Sequence, residues 1–315
     1  MTEKPDLLQI SPFPPHMVEA LEQDFTIHRY FEADDKAAML DKLKDSVRFV
    51  ATGGHHGCSA DVIAALPKLE VISSFGVGYD AVDVKAARQH NVRVTNTPDV
   101  LNDAVAELTL GMMLALCRRI PQADAYVRAG DWVSKGNYPL TAELTGKRVG
   151  ILGLGRIGKE IARRAQVFKM EVVYHGRTHQ ADEPYPFYAD LTQMARDVDW
   201  LVVIAPGSAS TKGIVSRDVM EALGPDGCLV NMARGTLIDE PAMVELLKTG
   251  KLGGAALDVF LEEPKVPEEL FALDNVVLAP HQGSATHKTR RAMGDLVVKN
   301  LRAHLKGDPL ISPVV

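Results

Sequence analysis

Arg234, Glu263 and His281 are the residue types in this chain that together suggest proton and anion chemistry. Each follows a short apolar run that reads as a strand. Cys228–Asn231 leads into Met232, Ala233, Arg234 and Gly235. Gly254–Leu257 leads into Asp258 and on to Glu262, Glu263 and Pro264, and Val276–Ala279 leads into Pro280, His281, Gln282, Gly283 and Ser284. Open α/β sheets bind ligands outside the carboxyl ends of their strands, so these distant residues are expected on one rim. An imidazole can pass a proton to an oxygen, a nearby carboxylate favours its charged form, and a guanidinium offsets an anion. Any one of the three alone would read as structural; the argument lies in all three standing at strand ends.

A second signal is contiguous. The segment RVGILGLGRIG, Arg148 to Gly158, places Gly153, Gly155 and Gly158 in GxGxxG spacing, with Leu154, Arg156 and Ile157 between them. It follows an apolar strand and precedes the helical stretch Lys159–Phe168. The first glycine permits a tight turn, the second a close approach to a pyrophosphate, and the third close helix–strand packing. The helix N-terminus then offers N–H groups and partial positive charge to phosphate. At the end of the next strand an NAD site carries an acidic residue for the ribose hydroxyls. Here the chain reads His175, Gly176, Arg177, Thr178, with no carboxylate. A guanidinium binds a 2′-phosphate that a carboxylate would repel, so Arg177, helped by His175 and Thr178, points to NADP(H) over NAD(H). A nicotinamide beside an acid/base and a cation is the set that hydride transfer to a carbonyl requires.

Short β-branched runs alternate with helical stretches, which predicts an α/β fold of parallel sheets wrapped by helices. Strands are expected at Leu7–Ile10, Val47–Ala51, Glu70–Ser74 and Val92–Thr95, with helices at Pro15–Gln23 and Lys36–Lys44. A long helix is expected over Asn102–Ile120, after the break at Thr97-Pro98. A second series opens at Arg148, and a final helix over Ser284–Leu305 is long enough to return to the first domain. The expected architecture is two Rossmann-like, doubly wound domains. Residues 101–285 form a dinucleotide-binding domain inserted into a substrate domain made of 1–100 and 286–315.

The 315 residues are 46% apolar and 24% charged, as in a soluble globular protein. A net charge of −6 argues against nucleic acid as a partner. The run Leu108–Cys117 is too short to cross a bilayer, and no apolar run follows the start of the chain as a leader would require. Cys58, Cys117 and Cys228 form no CxxC pair, which suits reduced thiols in a cytoplasm. No HExxH or spaced Cys/His cluster suggests a metal.

These motifs resemble those of the D-2-hydroxyacid dehydrogenase family nearly end to end. They are the glycine fingerprint, Ala233-Arg234-Gly235 with Asp239 following, Ala256 to Phe260 leading to Glu263-Pro264, and Pro280-His281. Within the family the likeness is nearest to the glyoxylate/hydroxypyruvate reductases, through Pro280–His287, the Gly307-Asp308-Pro309 tail and Gly176-Arg177. The resemblance implies that Arg234 grips the substrate carboxylate and carbonyl, that His281 is the general acid/base and that Glu263 is its partner. It implies that Asp258 orients the nicotinamide carboxamide among Met232, Ala233 and Gly283, and that Ala205-Pro206 borders the adenine. It also places the substrate carboxylate on the amides of Val77 and Gly78, with Ser284 nearby, and implies a homodimer, for which the Asn102–Ile120 helix is a plausible contact. Gln282 stands where many members carry Ile, and Trp132–Tyr138 does not clearly match the aromatic that such reductases offer across a dimer. The loop Gly53–Gly57 reads as a plain loop, with contact to the substrate's tail as its other reading. Two alternatives stay open: another 2-hydroxyacid dehydrogenase, of hydroxyphenylpyruvate or phosphoglycerate type, and a dinucleotide-sensing binding protein resembling the corepressors related to this family.

Overall fold

A computed structural model describes residues 4–315, so the first three residues of the leader reading lie outside the described residues. The chain forms two compact units, one reaching Leu101 and resuming at Ser284–Val315, the other Asn102–Gly283. In the first, β1 (Asp6–Gln9), β2 (Thr26–Arg29), β3 (Phe49–Gly53), β4 (Val71–Phe75) and β5 (Arg93–Thr95) make a parallel sheet in the order β2-β1-β3-β4-β5. The inner strands β1, β3 and β4 are buried on both faces because both are covered. Leu7, Phe49 and Val71 pack in one core cluster with residues of α1 (Pro15–Glu22) and the C-terminal helix α12 (His287–Lys306). Their neighbours Leu8, Val50 and Ile72 pack in another, which draws on α2 (Lys36–Leu43), α3 (Ala60–Ala65) and α4 (Val84–Gln89). The chain's end is tied to this unit by Asn300. Its amide donates to the Ser312 hydroxyl at 2.9 Å, and its carbonyl oxygen accepts from the Ile311 and Ser312 N–H groups.

The second unit begins with α5 (Asn102–Cys117), α6 (Ile120–Arg128) and α7 (Asp131–Lys135). Its sheet comprises β6 (Arg148–Leu152), β7 (Glu171–His175), β8 (Phe187–Tyr188), β9 (Trp200–Val203), β10 (Cys228–Asn231), β11 (Gly254–Leu257) and β12 (Val276–Leu278), all parallel, in the order β12-β11-β10-β9-β6-β7-β8. The crossovers carry α8 (Arg156–Val167), α9 (Leu191–Asp197), α10 (Arg217–Leu223) and α11 (Glu240–Lys248). Strand order reverses between β6 and β9, which makes their carboxyl ends the natural ligand edge. Among the described residues no helix is long and apolar enough to cross a membrane.

Two expectations are corrected in detail. The helix read over Asn102–Ile120 stops at Cys117. Arg119 turns left-handed (φ 51°), and α6 starts afresh with Pro121 in its first turn, where proline is tolerated but cannot prolong a preceding helix. Most apolar side chains of α5 are buried, Met113 completely, while Leu108 and Leu114 are half-buried. The last helix opens at His287, capped by the Thr286 hydroxyl, rather than at Ser284. The edge strands β2 and β8 carried no signal, since Thr26–Arg29 is only half-buried and β8 is two residues long.

Candidate active site

The residues after β10, β11 and β12 are held together by a chain of directed contacts. His281 Nδ1 lies 2.8 Å from Glu263 Oε2, and Glu263 Oε1 accepts the Phe260 N–H at 3.0 Å. A carboxylate can only accept, so Nδ1 carries the shared proton and Nε2 is the nitrogen that can exchange one with a substrate. His281 adopts φ 50°, unusual for a side chain with a Cβ. Asp258 enforces that bend. Its carbonyl accepts the His281 N–H at 2.8 Å, and its carboxylate oxygens accept from Gln282 N–H (2.7 Å) and Gly283 N–H (2.8 Å). Asp258 is 2% exposed, and burial pushes its carboxyl above the ordinary value although the two amides favour the charged form. The structure thus gives Asp258 the task of shaping the His281 loop.

Arg234 is half-buried after β10, its Nη1 donating to the Ala233 carbonyl at 2.8 Å. The buried Asn231 clasps this turn from below, donating to the Arg234 carbonyl (2.9 Å) and accepting from the Ala233 N–H (3.1 Å). Gly235 follows because nothing larger fits: a Cβ there would stand 2.0 Å from the Phe260 carbonyl carbon. That contact presses the Arg234 turn against the segment that carries Glu263. Glu240 completes the brace by accepting the Leu261 N–H at 3.0 Å. Asn231 and Glu240 were not among the expected site residues. Both act through backbone amides, which leave no sequence motif.

The glycine turn is placed as the fingerprint requires. Gly153 has φ 104°, and a Cβ on it would meet Ala205 backbone at 2.8 Å. A Cβ on Gly158 would stand 2.3 Å from the Gly153 carbonyl oxygen. A Cβ on Gly155, by contrast, would meet nothing within 4 Å, and no side chain caps the α8 N-terminus that Gly155 opens. Packing explains two of the glycines, and the third keeps space open where N–H groups emerge, which fits a dinucleotide pyrophosphate. Leu154 is buried and can offer only its backbone, whereas Arg156 is exposed and Ile157 half-buried. Arg177 and Thr178 are exposed just past β7, and Gly176 has open space around its Cα. His175 instead bonds Tyr188 O at 2.8 Å through Nδ1. Gln180, another residue the sequence reading did not single out, donates to the Leu154 carbonyl at 2.8 Å and fastens this loop to the glycine turn. Pro206 is exposed beside buried Ala205, and Met232 and Ala233 are buried.

Val77 and Gly78 follow β4 in the first unit, where Ser284 also lies. Their loop is braced by Thr97, whose hydroxyl accepts the Gly76 N–H at 3.0 Å, and by Asn96, which donates to the Val77 carbonyl at 2.8 Å. Burial pushes the Cys58 and Cys228 thiols up to about 12 and raises that of Cys117, which disfavours the reactive thiolate at all three.

Residues 110–283 match the model of the D-isomer specific 2-hydroxyacid dehydrogenase NAD-binding domain. The chain belongs to this family. It is 46% identical to glyoxylate/hydroxypyruvate reductase A of Arabidopsis thaliana over 309 residues, 98% of both chains. It is equally close, 46% over 309 residues and 98% of both chains, to hydroxyphenylpyruvate reductase of Plectranthus scutellarioides. Among solved structures it is similar to the NADPH-dependent glyoxylate/hydroxypyruvate reductase of Sinorhizobium meliloti, determined with NADP and malonate. That pair has a TM-score of 0.92 and 40% identity, covering 99% of this chain and 97% of the other. This 2-hydroxyacid dehydrogenase is therefore an oxidoreductase with a dinucleotide-binding domain.

Proposed function

We propose that this dehydrogenase works as a reductase of small 2-oxo acids, glyoxylate and hydroxypyruvate first among them, and prefers NADPH to NADH. The observation that carries the reading is the His281–Glu263 pair at 2.8 Å, its loop shaped by Asp258 and set on the same sheet as the glycine turn. A bound reduced nicotinamide supplies the hydride. His281 Nε2 delivers the proton to the carbonyl oxygen, while Glu263 holds the ring by Nδ1 and offsets its positive charge. Arg234 meets the substrate carboxylate and the negative charge that develops on oxygen. The amides of Val77 and Gly78 are further donors to the carboxylate, with Ser284 beside the substrate. Asp258, Met232, Ala233 and Gly283 would hold the nicotinamide, and Ala205 and Pro206 would border the adenine.

Arg177, exposed past β7 where the chain offers no carboxylate, supports the NADPH preference. A homodimer is part of the same reading. Its support is exposed apolar surface on α7, where Trp132 is 60% and Val133 95% exposed.

Steady-state rates with glyoxylate, hydroxypyruvate and hydroxyphenylpyruvate, each with NADPH and NADH, test the proposal. The small acids with NADPH should give the highest kcat/KM, and Arg177→Ala should shift the NADPH/NADH ratio about tenfold or more toward NADH, about 1.4 kcal/mol. A higher kcat/KM for hydroxyphenylpyruvate, which the second relative's name keeps in view, would move the enzyme to a bulkier substrate. Absence of all turnover would favour a dinucleotide-sensing binding protein.

A further inference from the structure

The first unit has a recess that the mechanism above leaves unused. Its sheet reverses strand order between β1 and β3, a switch point of the kind outside which open α/β sheets take ligands. The loops after β1 and β3 meet there with the end of β4 and with α12 around a cavity of about 440 Å³, lined by Ser11, Phe13, His56, Phe75 and Arg290 among others. Ser11 is 2% exposed, and its hydroxyl has no hydrogen-bond partner among the described residues. That hydroxyl lies on the β3 loop, 3.1 Å from where a Cβ on Gly53 would stand. The Arg290 guanidinium sits 5.5 Å over the Phe75 ring, a planar cation braced on an aromatic face.

A buried hydroxyl left unpaired is costly unless a ligand or water meets it, and a guanidinium presents its N–H groups to oxygen acceptors. The recess adjoins the loop assigned to the substrate carboxylate. The Gly54 N–H donates to the Phe75 carbonyl at 3.3 Å, and the chain runs from Phe75 through Gly76 into Val77 and Gly78.

We infer that this recess selects the far end of the substrate, favouring 2-oxo acids whose tail carries oxygen, as hydroxyls or a second carboxylate, over those with a hydrocarbon tail. Phe13 and Phe75 give the tail an apolar wall, while Ser11, His56 and Arg290 set the preference. The inference rests on the reductase reading and its placement of the carboxylate at Val77 and Gly78.

The test is a ratio of kcat/KM values. The substrates are 2-oxohexanoate, the equally long hydroxylated 2-keto-gluconate and dicarboxylic 2-oxoadipate, with glyoxylate as the tail-less reference. The wild-type enzyme should favour one of the oxygen-bearing acids over 2-oxohexanoate by about tenfold or more, and which of the two does so names the acceptor. Arg290→Met should draw that ratio toward one. Ser11→Ala, a smaller change that leaves the Arg290–Phe75 stack in place, should lower it by about threefold. No preference in the wild type, a preference for 2-oxohexanoate, or a ratio that both variants leave intact removes the recess but spares the reductase, provided glyoxylate is reduced. Failure of the wild type to reduce any of the four removes both.

Discussion

The glycine turn after β6 and the rim after β10, β11 and β12 lie at the same edge of one sheet, yet they are made of opposite materials. In the turn it is the backbone that would face a ligand. Gly153 and Gly158 are small because Ala205 and the Gly153 carbonyl oxygen stand where a Cβ would go, and Gly155 is small with nothing near it. In the rim the atoms proposed to meet a ligand belong to long side chains, and each is held by others: His281 by Glu263, Glu263 by the Phe260 N–H, the Arg234 turn by Asn231. A surface built of backbone is specified by neighbours in sequence. One built of side chains is specified by residues tens of positions apart, so its failures should differ in kind from those of the turn.

The sharpest way to separate the two is to remove one side chain from the rim. His281→Ala should lower kcat by about 10³-fold, within the range lost with a positioned general acid. The affinity for NADPH, followed by its fluorescence, should stay close to that of the parent, because the glycine turn is untouched. A variant that kept more than a tenth of the parent kcat would transfer the proton-donating role to another group and break the contrast drawn here.

The same contrast explains what could be read before the fold was known. Gly153, Gly155 and Gly158 were legible because their constraint is local. A strand, a tight turn and a helix follow one another within the range Arg148–Val167. Arg234, Glu263 and His281 were legible as residue types at strand ends, since parallel strands leave their carboxyl ends on one edge. What could not be read was the bracing. Asn231, Glu240 and Gln180 reach main-chain groups 3, 21 and 26 positions away, and any polar residue might do so. The strands were legible where both faces are buried, and β2 was not, because a half-buried edge strand lacks the apolar signature. The helix boundary at Cys117 was misplaced because arginine is a good helix former and no glycine or proline follows Cys117 before Pro121, so only the left-handed Arg119 ends the helix.

Two alanines in the turn make the next test, with smaller effects than the loss of His281. Gly158→Ala puts a methyl group 2.3 Å from the Gly153 oxygen, so the turn must move even without ligand. It should cost about 1–3 kcal/mol of stability, as overpacking does, and weaken NADPH binding as well. Gly155→Ala meets nothing within 4 Å, and its backbone, φ −84° and ψ −163°, is open to alanine. Its thermal stability should stay within about 0.5 kcal/mol of the parent. Its NADPH dissociation constant should still rise about tenfold, 1.4 kcal/mol, because the methyl group occupies the space kept for the pyrophosphate. If Gly155→Ala bound NADPH as well as the parent does, the open space at Gly155 would not be where the dinucleotide lies.

The remaining test concerns Asp258, which braces the rim through backbone amides and so combines the two materials. Asp258→Asn keeps one carbonyl oxygen for the Gln282 and Gly283 N–H groups but turns an amide N–H toward the other, leaving a buried donor unmatched. The loss should be about 1–3 kcal/mol in mild acid. Its pH dependence follows from the raised carboxyl, for which burial is the leading cause. A group whose folded pKa lies above its unfolded value contributes most below the unfolded value, and that contribution fades as pH rises through the folded one. The gap in melting temperature between parent and Asp258→Asn should therefore be widest in acid and narrow toward neutrality. A gap that widens instead would mean that the two amide bonds to the ionised carboxylate outweigh its desolvation. The His281 loop would then be held by charge, as the side-chain rim is, and not by the neutral hydrogen bonding that shapes the glycine turn.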